Sequence, residues 1–205
     1  MSNSTDDTMT DATLELVRRA VAHYHTKGTD QAAAPMRMPI EAYLDADRFA
    51  YEVDQIFRRL PLAMALSLEL PVPGSYRSLT VVGTPVLLTR DASGRARAFL
   101  NVCRHRGSTL CEEGSGTARR FTCPYHGWSY DPEGTLVGMF GASVFGDVDR
   151  AELALAELRC EERSGLIWVS LDPESTFDID DWLGDFAAEL DTLDLENWHL
   201  VEQRD

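Results

Sequence analysis

Positive charge is scarce in this 205-residue sequence: Lys and Arg total 19 against 34 Asp and Glu, a formal charge of −15. That balance argues against a charge-driven grip on nucleic acid or anionic lipid, so the expected partners are proteins or small molecules. Long apolar runs are absent too. None approaches the roughly 20 residues that cross a bilayer, and the opening thirty residues have no basic start followed by an apolar core, so no membrane span and no export signal are expected. Cysteine is sparse, with four in the chain, and three of them fall between 103 and 123. Such bunching does not suit the disulfide framework of a secreted domain; in a reducing compartment, clustered Cys and His point to a bound metal. A cytoplasmic protein is therefore expected.

What remains is ordinary for a globular chain: 44% hydrophobic residues, enough for one core, with no repeats and no low-complexity tract. Leu14, Val17, Val21 and Tyr24 recur at helical spacing between Asp11 and Thr26, with Gly28 as a stop, after a flexible start. An Ala- and Pro-containing linker follows through Pro39. "DADRFAYEVDQIFRRL" sets Phe49, Val53, Ile56 and Phe57 on one face of a second helix capped by Asp45 or Asp47. From Leu62 the pattern becomes short β-type runs, "LAMALSLEL", "YRSLTVV" and "PVLLT"; "DASG" then turns the chain into "RARAFLNV". A hairpin is expected around Asp131 to Gly134 and a buried strand in "GLIWVSL". "DIDDWLGDFAAELDTL" spaces Ile179, Leu183, Phe186 and Leu190 for a last helix, and "NWHLVEQRD" begins one more strand.

The chemistry is concentrated in "NVCRHRGSTLCEEGSGTARRFTCPYHGW", Asn101 to Trp128. Cys103-x-His105 and Cys123-x-x-His126 make two loops that each offer one thiolate and one imidazole. Two Cys and two His suit a single Zn²⁺ by ligand type, although Cys-x-His is not its usual first half. They suit equally a two-iron, two-sulfide group, in which Cys103 and Cys123 hold one iron and His105 and His126 the other. Gly107 and Gly127 let the loops bend tightly, and Pro124 stiffens the second.

"CRHRG" with "CPYHGW" resembles the [2Fe-2S] motif of Rieske proteins, specifically the N-terminal domain of Rieske non-haem iron, aromatic-ring-hydroxylating oxygenase α subunits. The resemblance extends over the helix "DADRFAYEVDQIFRRL", the β region from "PGSYRSLTVV", and "RSGLIWVSLDPES". It implies a mainly β fold with flanking helices: a Rieske-type antiparallel β-sandwich with a small cluster-binding subdomain and N- and C-terminal helices. The implied division is residues 1–39 as N-terminal helix and linker, 40–172 as the Rieske domain with its helical leader and cluster-binding loops at about 101–130, and 173–205 as an acidic helical segment that starts a truncated catalytic domain. It also implies a [2Fe-2S] cluster on Cys103, His105, Cys123 and His126, with no catalytic acid or base among them. The role implied is electron transfer, from a ferredoxin or flavin reductase to a mononuclear iron. In the family that iron is Fe(II) on two His and one carboxylate. After His126 this sequence holds only His199, so the site is not expected here. A separate oxygenase chain is one candidate to carry the catalytic site, and the family's trimer is one candidate assembly, weakened here because much of its assembly surface belongs to that domain. A free-standing Rieske ferredoxin is the alternative, and a zinc-stabilised interaction module the third reading. The residues around His126 follow the oxygenase pattern, which places the reduction potential in the lower part of the roughly −150 to +300 mV Rieske range.

Cys111 would be a fifth ligand where four suffice, so it and Cys160 read as small packing residues. His23, His25 and His199 complete no second site. Trp128 and Tyr125 either shield the cluster or pack the β core. Arg95, Arg97, Arg104, Arg106, Arg119 and Arg120 make the region basic within an acidic chain, either as a landing site for an acidic ferredoxin or as a solvated face.

Overall fold

The computed structural model of the chain describes residues 11–199, which divide after Leu44 into two units. In the first, α1 (Asp11–Thr26) forms where the apolar spacing requires it. The N–H of Gly28 donates to the His23 carbonyl at 3.1 Å, so the helix stops at the expected glycine. No side chain of α1 is buried. A single turn, α2 (Glu41–Leu44), ends this unit. The flexible start, Met1 to Thr10, and the body of the last expected strand, from Leu200 on, lie outside the described residues. Asn197, where that strand was to begin, instead closes a 3-10 turn, Leu195–Asn197.

The second unit opens on α3 (Ala46–Glu52), whose Asp45 cap accepts from the N–H groups of Asp47 and Arg48 at 2.9 and 3.0 Å. The single helix expected over 45–60 is interrupted: Val53–Phe57 widens into a π turn. Phe49, Ile56 and Phe57 share the expected apolar character but stay exposed, at 62%, 43% and 37%.

The strands are β1 (Leu62–Leu66), β2 (Ser75–Val81), β3 (Thr84–Arg90), β4 (Ala96–Leu100), β5 (Gly114–Thr117), β6 (Phe121–Thr122), β7 (Ser129–Tyr130), β8 (Leu136–Gly138), β9 (Glu157–Leu158), β10 (Cys160–Arg163) and β11 (Leu166–Val169). They pair antiparallel into three sheets, in the orders β1-β11-β10, β5-β2-β3-β4-β9 and β6-β7-β8. The fold is therefore the expected one, mostly antiparallel β with few helices. The run expected to be a strand over 62–70 ends at Leu66, because Ser67–Glu69 curls into a 3-10 turn and the Glu69 carboxylate accepts from the Leu66 N–H at 2.8 Å.

Strand β3 explains how the site is held. Its alternating side chains point to opposite faces of the middle sheet, and both faces are covered. Val86 and Leu88 pack with Ile167 and Val169 of the first sheet. Leu87 packs on the other side with Phe99, Phe121, Trp128 and Tyr130, beneath the two Cys-containing loops. At the ends of that first core, the buried Arg90 guanidinium binds the Glu162 carboxylate at 2.6 and 2.9 Å and the Leu70 carbonyl at 2.8 Å, tying β3 to β10. The C-terminal helical stretch is two pieces, α4 (Ile179–Leu183) and α5 (Phe186–Asp191), separated at Gly184; Ile179, Leu183 and Ala187 pack on Trp168. Arg163 reaches back from β10 to Asp180 and Asp191.

Candidate metal centre

The two loops are built alike. In the first, the N–H of Gly107 donates to the Cys103 carbonyl at 3.0 Å and that of Cys103 to the Ser108 carbonyl at 2.8 Å. In the second, Gly127 donates to Cys123 at 3.0 Å and Cys123 to Trp128 at 2.7 Å. Each loop is thus a tight turn closed on its own cysteine, with glycine at φ 72° and 68° where a side chain would be strained. Strand β4 delivers the first loop. The short hairpin of β6 and β7 delivers the second, with Phe121 opposite Tyr130.

The four expected residues come together in two pairs. Cys103 and Cys123 are buried, at 2% and 3% exposure, and their thiols are hydrogen-bonding neighbours. The imidazoles of His105 and His126 lie side by side, ring centroids 4.7 Å apart. Among the described residues, no three His, Cys, Asp or Glu side chains gather tightly enough to hold one ion. A division of two thiols and two imidazoles is what a two-iron group asks for, one pair per iron.

The imidazole nitrogens carry the sharper signal. Nδ1 of His105 and Nδ1 of His126 are both buried and have no hydrogen-bond partner. Leaving a buried polar atom unpaired costs about 1–3 kcal/mol, and here two such atoms share one site. A bond from each Nδ1 to iron would remove both penalties, so the residues present fit the group. Burial lowers the basicity of His105, helped by the nearby His126 and Arg106, which favours the neutral ring that a metal requires. Burial pushes the Cys103 thiol up. At Cys123 burial acts in the same direction, but backbone N–H groups of Tyr125 and His126 outweigh it and bring the thiol below its usual range.

Three supporting residues were not singled out from the sequence. Tyr130 is fully buried; its hydroxyl lies 3.5 Å from the Cys103 sulfur and accepts from the Arg104 N–H at 3.1 Å. Asn101, 1% exposed, donates to the Ser78 hydroxyl at 2.8 Å and the Cys111 carbonyl at 2.7 Å, while its carbonyl accepts from the N–H groups of Leu110 and Cys111 at 3.3 Å each. It pins the returning end of the first loop. Phe145 sits edge-on to His105 and Trp128, 5.4 Å from each. Asn101 at the end of a strand, directly before the loop, was the one legible signal.

Trp128 packs in the core under the loops, one of its two expected roles, and also stacks on His105, 4.8 Å between centroids at 13°. Tyr125 stacks on His126 at 3.8 Å but remains 60% exposed. Cys111 turns its sulfur to Asn101, 3.7 Å from its carbonyl oxygen, and Cys160 sits in the far core, its thiol pushed up to about 12 by burial. His23 instead pairs with Asp30 at 2.9 Å. The basic group divides. Arg104 and Arg106 are on the first loop, whereas Arg97 is on β4, before that loop begins. There it is engaged by Glu157 at 2.7 Å and lines a cleft with Arg95 and Arg159.

Comparison with known proteins agrees with this geometry. Residues 61–143 match the family described as Rieske [2Fe-2S] domain, which implies a [2Fe-2S] cluster. The glycine betaine monooxygenase oxygenase subunit of Pseudomonas aeruginosa (strain UCBPP-PA14) is 34% identical over 166 residues, covering 81% of this chain and 38% of the relative. Benzene 1,2-dioxygenase subunit alpha of Pseudomonas putida is 33% identical over 158 residues, covering 77% and 35%. Among solved structures, the quaternary ammonium Rieske monooxygenase CntA in complex with L-carnitine superposes with a TM-score of 0.68 at 31% identity, over 75% of this chain and 44% of that one. Naphthalene 1,2-dioxygenase from Rhodococcus sp. bound to indole gives 0.70 at 26% identity, over 90% and 41%. The chain spans less than half the length of the relatives described above.

Proposed function

We propose, for a chain that carries a Rieske [2Fe-2S] domain and is homologous to Rieske oxygenase α subunits, that it works as the electron-transfer part of such an oxygenase. In this reading it accepts one electron at a time from a ferredoxin or flavin reductase. It passes each on to a mononuclear iron site outside these 205 residues. The functional module is residues 40–172, with 173–205 leading towards the oxygen-activating part. A cytoplasmic setting goes with it, because four free thiols and a ligand set of thiolates need a reducing compartment.

Cys103 and Cys123 would hold one iron, and His105 and His126 the other. The group supplies a one-electron couple. Everything else is done by the chain's own residues. The two closed turns fix the four ligand atoms; Trp128 and Phe145 exclude water from the His105 side; Tyr130 aims a hydroxyl at the Cys103 sulfur. The observation that supports the reading most directly is the pair of buried, partnerless Nδ1 atoms beside a buried thiol pair. The test is to purify the chain anaerobically and measure metal and acid-labile sulfide. Iron and sulfide in equal amounts, with an EPR signal on one-electron reduction, is the expected result, and a potential in the lower part of the roughly −150 to +300 mV Rieske range goes with it. A colourless protein with zinc and no sulfide would overturn it.

A further inference from the structure

A third buried polar atom stands unpaired beside the two imidazole nitrogens: Nε1 of Trp128. The chain has four tryptophans, and the other three have an outlet for their indole N–H. Trp168 donates to the Arg163 carbonyl at 3.3 Å and Trp198 to the Leu193 carbonyl at 2.8 Å, while Trp182 is 47% exposed and open to water. Trp128 is buried, at 3% exposure, and its N–H reaches no acceptor among the described residues.

The chemistry of that atom narrows what can satisfy it. An indole N–H is a donor only, so the iron that would relieve His105 and His126 cannot relieve Trp128. It needs an electron-rich atom. The core around it supplies Leu87, Phe99, Phe121, Leu136 and the two cysteines, and neither cysteine sulfur accepts from it. Phe145 stands edge-on, ring centroids 5.4 Å apart at 75°, and a ring face is at best a weak acceptor. Nor is the indole free to turn away. Its backbone carbonyl closes the second loop by accepting the Cys123 N–H at 2.7 Å, and its ring lies on the His105 imidazole of the first. Trp128 thus joins the two loops that carry the four ligand residues, with its one donor held between them.

We propose that the Trp128 indole N–H donates a hydrogen bond to an inorganic sulfide of the [2Fe-2S] group, which makes Trp128 a determinant of the reduction potential. The proposal rests on the function proposed above. Sulfide is the acceptor that the group brings and the chain lacks. The bond strengthens as negative charge builds on the sulfide, so it favours the reduced form over the oxidised one and raises the potential. It is distinct from the contact of the Tyr130 hydroxyl, which lies against the Cys103 sulfur, an atom of the chain itself.

The test replaces Trp128 with 3-benzothienylalanine in the cluster-loaded full chain. A sulfur then takes the place of the N–H, while the fused ring and its stack on His105 remain. Protein-film voltammetry is expected to show the reduction equilibrium shifted about tenfold towards the oxidised form, about 59 mV for a one-electron couple. Iron and sulfide content should stay unchanged. A second readout needs no substitution: in the unaltered chain labelled with ¹⁵N-tryptophan, pulsed EPR of the reduced form should show one tryptophan nitrogen, coupled far more weakly than a bound histidine nitrogen. That signal should vanish after the replacement. A reduction equilibrium within twofold of the unaltered chain's, or a cluster-bearing chain with no tryptophan nitrogen coupling, would overturn the proposal and leave the N–H on the Phe145 ring. Zinc or no metal in the unaltered chain would instead remove the function proposed above, and this hydrogen bond with it.

Discussion

The Tyr130 hydroxyl, held by burial and by the Arg104 N–H, reaches the Cys103 sulfur at 3.5 Å. A hydrogen bond to a ligand sulfur favours the more negative, reduced form, so Tyr130→Phe should lower the potential. At about 1–2 kcal/mol for a bond to a charged acceptor, the loss is about 40–90 mV for a one-electron couple. Protein-film voltammetry reads it directly, and a potential that stays put or rises would remove Tyr130 from the site. Asn101 makes four hydrogen bonds in the interior. Asn101→Ala leaves its partners unpaired and should cost about 2–4 kcal/mol in denaturant unfolding. Cys111 turns to Asn101, and Cys160 sits in the other core. The variants C111S and C160S should therefore keep the full iron and sulfide content, while C123S loses it. The four proposed ligand positions stand out in the sequence because thiol and imidazole types are rare there. Tyr130 could not, since its role depends on β7 placing it beneath a loop 27 residues away.

At the scale of elements, the Arg90–Glu162 pair is the tie between two sheets. Burial works to raise the Glu162 carboxyl, but the Arg90 guanidinium outweighs it and holds the carboxyl below its usual range. The lowered folded value means that Glu162 contributes stability above the ordinary carboxylate range, near pH 4.5. That contribution is lost as pH falls through the folded value. Asp91, also held low despite burial, by Ser93, by Arg95 and by Arg97, acts in the same direction. Glu162→Gln should cost about 1–3 kcal/mol at pH 7, because it leaves a buried guanidinium unpaired. It should also flatten the loss of stability between pH 5 and 3; an equally steep acid transition in the variant would contradict this. The strands β3 and β11 were legible because apolar side chains fill them, and β2 and β4 because apolar residues recur in them between turn signals. β5 was not: its sequence "GSGT" reads as a loop, and all four residues are exposed. Backbone pairing with β2 alone makes it a strand. The break at Gly184 and the π turn at Val53–Phe57 likewise escape a periodicity that runs smoothly across both.

Across the whole molecule, charge is unevenly distributed along the chain. Residues 172–199 carry acids and no Lys or Arg, while the stretch 101–130 around the site carries four Arg and only two acids, Glu112 and Glu113. Composition alone blurred this, because it merged Arg95 and Arg97 with Arg104 and Arg106; the path of β4 separates them. The chain matches 38% and 35% of the length of two relatives, each about twice its own length. The claim on which the rest depends is that two imidazole nitrogens and two thiolates hold one [2Fe-2S] cluster. Pulsed EPR on the reduced chain, grown with ¹⁵N-histidine, tests it most directly. Two directly bound histidine nitrogens whose couplings change with the label are expected; a cluster without histidine nitrogen coupling would contradict that ligand set.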